Sequence, residues 1–300
     1  MRRVTSSLPA SEGRSDDLAP GRVSFIVPTR NSARTIASCL SSLRSQDYAD
    51  VETIVVDNGS TDGTREVADR FADLVFSAGP ERSRQRNLGA ARSTGEFLVF
   101  IDSDMIVPPS LAGEVARGFR IKPEVAALVL PERATGTGFW ARCRSLEKDI
   151  YLGDESIEAA RAFRRSIFAV AGGYDERIHG GGEDWDLPER IAAAGGRLDR
   201  IRATVVHDEG RLRLGEDLAT KLYYGRSFGV YLSKHRRRAT GKVLRLALLR
   251  RPGLLVREPV HAAGLAALKV LELLALLTGI AIGRISPHPA DRPTERGPPV

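Results

Sequence analysis

The chain has 300 residues, with 45 Lys or Arg against 38 Asp or Glu and a net charge of +7. That length holds one large domain or two ordinary ones, and so mild a basic excess, without interleaved aromatics outside 223–231, argues against a nucleic-acid binder. The two cysteines, Cys39 and Cys143, lack metal-ligand spacing, which argues against a disulfide framework, and no apolar stretch of a secretory signal opens the chain.

Residues 1–20 are rich in Ser, Arg, Asp and Pro without periodicity and read as a disordered arm. Val23–Val27 predicts a strand closed by Pro28-Thr29-Arg30-Asn31, and Ile36, Leu40 and Leu43 have helical spacing. Thr53–Val56 predicts a second buried strand. The loop Asp57–Thr64 ends it, and a helix then runs to about Phe71. Leu74–Phe76 reads as a strand, Arg82–Arg92 as a helix, and Phe97–Ile101 as an unbroken apolar strand. This alternation with short connections predicts an α/β fold built on a parallel, doubly wound sheet. Ligands of such sheets sit beyond the carboxyl ends of the strands. The loops 28–31, 57–64 and 102–104 are therefore expected to meet on one edge.

Beyond Pro108 the pattern is less regular. Leu111–Phe119 predicts a helix and Val125–Leu130 a strand; Gly136–Tyr151 reads as a mobile amphipathic segment. Ala162–Arg165 and Ile167–Val170 read as an extended pair. A glycine loop, 180–182, precedes Glu183, Asp184 and Asp186 and a helix expected over Leu187–Ala194, and Leu198–Val206 reads as a further strand ending at His207.

The acids carry the chemistry. Asp102 and Asp104 follow a buried strand directly, and carboxylates there cost free energy unless paired or holding a cation. At i and i+2 two oxygens can converge on one hard divalent ion. An Asp-capped turn explains the pair alone equally well; its convergence with two other polar loops favours a ligand site. Glu183, Asp184 and Asp186 around Trp185 exceed what a helix dipole asks of its first turn.

Taken together, Val-Pro-Thr-Arg-Asn (27–31), Val-Asp-Asn-Gly-Ser-Thr-Asp-Gly-Thr (56–64), Arg-Asn-Leu-Gly (86–89), Asp-Ser-Asp (102–104), Gly-Gly-Tyr-Asp-Glu (172–176), Gly-Glu-Asp-Trp-Asp-Leu (182–187) and His207 resemble, in order, a family-2 glycosyltransferase with the GT-A fold. The resemblance covers roughly 22–210. It implies that Thr29, Arg30 and Asp57 hold the base of a nucleotide-diphosphate sugar, and that Arg82, Arg86 and Asn87 lie by its ribose and phosphates. It also implies that Asp102 supports the ribose or metal-bound water, and that Asp104, completed by His207, ligates Mn²⁺ or Mg²⁺. Cleaving a sugar–phosphate bond puts negative charge on the leaving diphosphate, which such an ion offsets. An acceptor hydroxyl needs a general base on the opposite face of the sugar. Asp184 is the expected base, with Glu183 or Asp186 in reserve, and Trp185 and Asp186 are expected on the acceptor side. One base without a second nucleophile implies inversion.

The implied domain runs over 21–215. Within 216–285, Lys234–Arg238, Lys242, Arg245, Arg250 and Arg251 alternate with apolar residues, a basic amphipathic pattern suited to an anionic membrane surface. Val260–Gly283 is long enough to span a bilayer, but Lys269 and Glu272 would lie mid-span, so a shallow hydrophobic helix at the cytoplasmic face of the membrane is expected. Residues 286–300 read as a disordered tail. The expected acceptor is a glycan or a lipid-linked one. Two rival readings are a nucleotidyltransferase, which would want a Gly-rich phosphate loop after the first strand, and a membrane-peripheral sugar-nucleotide binder without transfer. The intact acids argue against the second.

Overall fold

Phe25 and Val27 pack on one side of strand β1 (Ala19–Thr29) and Ile26 on the other, so the strand is buried on both faces. The same division recurs in β4 (Gly95–Phe100), where Val99 and Phe100 face opposite cores. An apolar run without alternation is what a strand covered by helices on both sides requires. The computed structural model describes residues 19–154, 157–178, 181–235 and 251–285. Around these strands run α1 (Ile36–Arg44), β2 (Val51–Asp57), α2 (Thr64–Phe71), β3 (Leu74–Ser77) and α3 (Arg82–Arg92). After β4 come β5 (Met105–Ile106), α4 (Leu111–Ile121), β6 (Val125–Val129), β7 (Glu132–Thr137), α5 (Phe139–Tyr151), β8 (Ala160–Arg164) and α6 (Arg165–Val170). The chain continues through α7 (Glu183–Ala193), β9 (Arg197–Arg200), β10 (Val205–Arg211), α8 (Leu214–Lys234), α9 (Pro252–Arg257) and α10 (Pro259–Ile285).

The large sheet has the order β3-β2-β1-β4-β8-β6-β9. Its pairs are parallel except at β8, which runs antiparallel to both β4 and β6. A small sheet, β5-β10-β7, stands beside it. The mostly parallel α/β expectation holds.

Several local expectations need correction. The first strand begins at Ala19, inside the expected arm; residues 1–18, like 236–250 and 286–300, lie outside the described residues, so the expected arm, most of the basic segment and the tail do too. The expected mobile segment 136–151 ends in the ordered helix α5, whose Cys143, Leu146 and Ile150 pack with Leu265 and Leu268 of α10. That partner lies over 100 residues away, so no local signal announces the order. Ile167–Val170 is a helical turn, not an extended stretch: Arg165 turns back to donate to the carbonyls of Gly95 and Ala90. The strand expected over Leu198–Val206 divides between the two sheets. Helix α7 starts at Glu183, earlier than expected. Its N-cap Gly182 has φ +98°, and a side chain there would strike the Tyr231 ring.

At the far end α8 and α10 touch backbone to backbone. A Cβ on Gly279 would run into the Leu222 carbonyl, one on Gly283 into that of Arg226, and one on Gly225 into that of Leu276. Gly279-Ile-Ala-Ile-Gly283 is a small-residue spacing that lets helix axes approach closely. Beneath this contact Arg144 of α5 meets Glu147, Asp217 (2.9 Å) and Glu272 (2.5 Å), while Lys269 reaches Glu147 at 2.7 Å. Lys269 and Glu272 also pair with each other. α10 is long and apolar enough to cross a membrane by length and composition. Its Lys269 and Glu272 are nonetheless engaged with α5.

Candidate active site

The three polar loops do converge. Asn58 N–H donates to the Thr29 carbonyl (2.9 Å), Asn31 N–H to Ser60 Oγ (2.8 Å), and Ser32 N–H to Thr64 Oγ1 (2.7 Å). Ser32 and Ser103 hydroxyls meet at 2.8 Å, which ties the Asp102–Asp104 turn to the same edge. Asp57 is buried and accepts from Ser60 N–H (3.0 Å), so it shapes its own loop. Thr29 is buried with an Oγ1 that has no hydrogen-bond partner among the described residues. Arg30 beside it is exposed.

A cavity of about 800 Å³ opens next to these loops. Asp102, Asp104, Arg82, Glu183, Asp184, Trp185 and His207 line it, gathered from β4, α3, α7 and β10. Asp104 projects half-exposed and meets His207 Nε2 at 3.0 Å, because β10 pairs His207 with Met105. Burial works to lower the His207 pKa, but the hydrogen bond and charge of Asp104 outweigh it, and the net shift is upward. Its Nδ1 is buried without a hydrogen-bond partner among the described residues.

These donors fit a divalent ion in part. A carboxylate beside an imidazole offers two ligands, leaving the remaining positions to water or phosphate oxygens. No group of three His, Cys, Asp or Glu side chains suited to a metal occurs among the described residues. Asp102 is not free to be another ligand: Arg86 holds one oxygen at 2.8 Å and Arg161 lies 3.2 Å from the other. Burial would raise the Asp102 pKa, yet Arg161, Arg86 and Arg82 together hold it well below the usual carboxylate range.

Arg86 is the largest fully buried side chain among the described residues. Besides Asp102 it holds Asp184 at 2.7 Å and Glu183 at 3.5 Å, so it lies between acids rather than open to the cavity. Burial, with Asp184 adjacent, pushes the Glu183 carboxyl upward against the pull of Arg82 and Arg86. Arg82 reaches Glu183 at 3.3 Å and donates to the Tyr224 hydroxyl at 3.0 Å.

Two expected site residues lie elsewhere. Asn87 closes on the backbone of Tyr174 with both amide atoms, 2.9 Å each, and so anchors the 172–176 loop. Asp186, expected on the acceptor side, is buried away from the cavity against Arg190 (2.7 Å), His235 (2.9 Å) and Lys234 (3.3 Å). Trp185 does line the cavity, its indole N–H bound to the Ile157 carbonyl at 3.0 Å.

Arg161, Glu132 and Tyr224 belong to the site without having been expected there. Arg161 enters because β8 runs antiparallel, with Val99 opposite Ala162, so the first residues of β8 lie beside the end of β4 and Asp102. Its one local sign is an arginine set between Ala160 and Ala162, in a strand that ends on a second arginine, Arg164.

A profile of glycosyl transferase family 2 matches residues 24–171, which run from within β1 through β4 and the Asp102–Asp104 turn to the end of α6. The chain belongs to glycosyltransferase family 2. Among its family relatives, the Pre-mycofactocin glycosyltransferase of Mycobacterium tuberculosis (strain ATCC 25618 / H37Rv) is 30% identical over 235 residues, 71% of this chain and 48% of that protein. An N-acetylglucosaminyltransferase of Rhizobium leguminosarum bv. viciae is 29% identical, covering 93% of this chain and 69% of that one. The chain thus spans about half the length of the mycobacterial relative. A solved structure of a mannosyltransferase from Pyrobaculum calidifontis, in complex with GDP-Man and Mn²⁺, superposes with a TM-score of 0.62 at 21% identity, over 89% of this chain and 88% of that one. At that identity the likeness concerns the fold, and the family member described here has the GT-A architecture.

Proposed function

We propose that the chain is an inverting glycosyltransferase that moves a sugar from a nucleoside-diphosphate donor to an acceptor hydroxyl. The observation that carries this reading is the cavity itself. It gathers the Asp104–His207 pair, the Asp102 carboxylate and the two acids at the start of α7 on the edge where the nucleotide-type loops 28–31 and 57–64 meet. The P. calidifontis enzyme, with GDP-Man and Mn²⁺ in its structure, supports a donor and ion of that kind.

Asp104 and His207 would hold Mn²⁺ or Mg²⁺, which when bound offsets charge on the departing diphosphate. The chain's own groups do the rest. Thr29 Oγ1 offers an unspent hydroxyl, and Asp57 keeps the base-side loop in shape. Arg82 and Arg86 keep positive charge beside Asp102. Asp184, whose side chain is 26% exposed where that of Glu183 is 3%, is the more open of the two α7 acids that line the cavity. It would take the proton of the acceptor hydroxyl while that oxygen bonds to the anomeric carbon and the carbon–phosphate oxygen bond breaks. One displacement inverts the centre.

The acceptor we propose is a membrane-linked glycan or lipid met at the cytoplasmic face of the membrane. Val256, Val260, Val270, Leu274 and Leu277 are exposed along α9 and α10, near Arg251 and Arg257. Since Glu272 and Lys269 are engaged with α5, an in-plane helix accounts for α10 better than a span does. The test is Asp184→Asn: calorimetry should find donor binding no weaker than in the unsubstituted chain, while transfer is lost. Retained turnover removes Asp184 as the base.

A further inference from the structure

Asp102, Arg86, Asp184 and Arg161 form a closed ring of alternating charge. Each carboxylate gives one oxygen to each arginine. Arg86 closes its half with ordinary bonds, Nη1 to Asp184 Oδ1 at 2.7 Å and Nη2 to Asp102 Oδ1 at 2.8 Å. Arg161 closes the other half loosely, Nη1 to Asp102 Oδ2 at 3.2 Å and Nη2 to Asp184 Oδ2 at 3.5 Å. Its Nη1 lacks hydrogen-bond geometry to any partner among the described residues, although the side chain is 7% exposed. Only its Nε is firmly spent, on Glu132.

The asymmetry has two chemical consequences. Arg161 lines the cavity, whereas Arg86 is fully buried, so of the ring's two arginines Arg161 is the one that can turn its buried Nη1 toward a ligand. A guanidinium with two poorly used terminal nitrogens matches the two oxygens of a phosphoryl group. At the same time a base must present an open lone pair to the acceptor, and while the ring is closed each Asp184 oxygen already faces a guanidinium.

We propose that Arg161 binds the diphosphate of the donor, and that in the empty site it covers Asp184, so that donor binding uncovers the base. This rests on the donor reading above. The anion is a phosphoryl oxyanion. It is assigned to the donor rather than to a phosphorylated acceptor because Arg161 lies 3.2 Å from Asp102, two residues before the Asp104 that pairs with His207. The device would keep the base covered until a leaving group is in place.

The test is calorimetry on the full chain with UDP and GDP, each with and without Mn²⁺, and with UMP, GMP and farnesyl phosphate as comparisons. Arg161→Gln should weaken the diphosphate that the unsubstituted chain binds by about tenfold, the scale of one charged hydrogen bond, with the monophosphate little changed. Asp184→Asn should strengthen the same diphosphate, since it releases Arg161, and the gain should vanish in the double variant. If Arg161→Gln does not fold, Arg161→Lys keeps the charge beside Glu132 and should show an intermediate loss. Unchanged diphosphate affinity in Arg161→Gln, an equal fall for the monophosphate, a loss confined to farnesyl phosphate, or an Asp184→Asn gain that survives in the double variant overturns the proposal. Failure of the unsubstituted chain to bind either diphosphate overturns the donor reading and this proposal with it.

Discussion

Replacing Arg86 with Met removes the one cation that, among the described residues, touches Asp102, Glu183 and Asp184 together. Methionine fills much of the same volume, so the loss is chiefly electrostatic. Removing one partner from a buried ion cluster costs about 3–5 kcal/mol, because the remaining charges stay desolvated and unpaired. Arg82 and Arg161 still face the acids, which puts the expected loss near ~3 kcal/mol. For a domain of this size that lowers the melting temperature by about 6–12 °C.

The sign with pH follows from two carboxyls. Asp102 is held below its ordinary value, so its contribution to stability is present above the unfolded value of about 3.9 and is lost as pH falls through the folded value. Glu183 is raised, so its contribution is present below the unfolded value of about 4.3 and is lost as pH rises through the folded one. Without Arg86 both carboxyls move upward, and both changes penalise the variant more at neutral than at acid pH. Urea melts followed by circular dichroism should show a gap of about 3 kcal/mol at pH 7.5 that narrows by ~1 kcal/mol at pH 5. A loss below about 1 kcal/mol at pH 7.5, or a gap that does not narrow at pH 5, would refute the buried-cluster argument.

Transfer should require Mn²⁺ or Mg²⁺ and should stop in excess chelator; full activity there would remove the ion from the mechanism. Gly279→Ala should lower the melting temperature by several degrees, since its Cβ meets the Leu222 carbonyl, whereas Gly229→Ala, which meets nothing within 4 Å, should leave it unchanged or slightly higher. Equal melting of the two variants would show that the α8–α10 contact yields easily. The full chain should sediment with anionic vesicles, and truncation after residue 233 should weaken this. Equal partitioning of both would contradict membrane docking through the C-terminal part.

The parallel half was legible because its signals are local. Val23–Val27, Thr53–Val56 and Phe97–Ile101 are short apolar runs ended by polar loops, and each became a strand ending at the site. Loop convergence followed from topology alone. What escaped depends on partners remote in sequence: α5 is ordered by α10, and the strand expected over 198–206 is divided by the demands of two sheets. In the site, the acids were found by type and position, but their counter-ions were not. Arg161 reaches Asp102 through one antiparallel strand inserted in a parallel sheet, and nothing in its immediate neighbours encodes that reversal.

That reversed strand has a further consequence. β8 is paired with neighbours along both edges, which limits how far its backbone can shift to adjust what it presents. Changing residue 161 is then the direct way to alter the charge that this strand presents beside Asp102. Family members could share the whole parallel half and still differ there by a single codon. Sorting them by the residue at that position, before any substrate is known, should separate chains with a cation beside the first aspartate from chains without one.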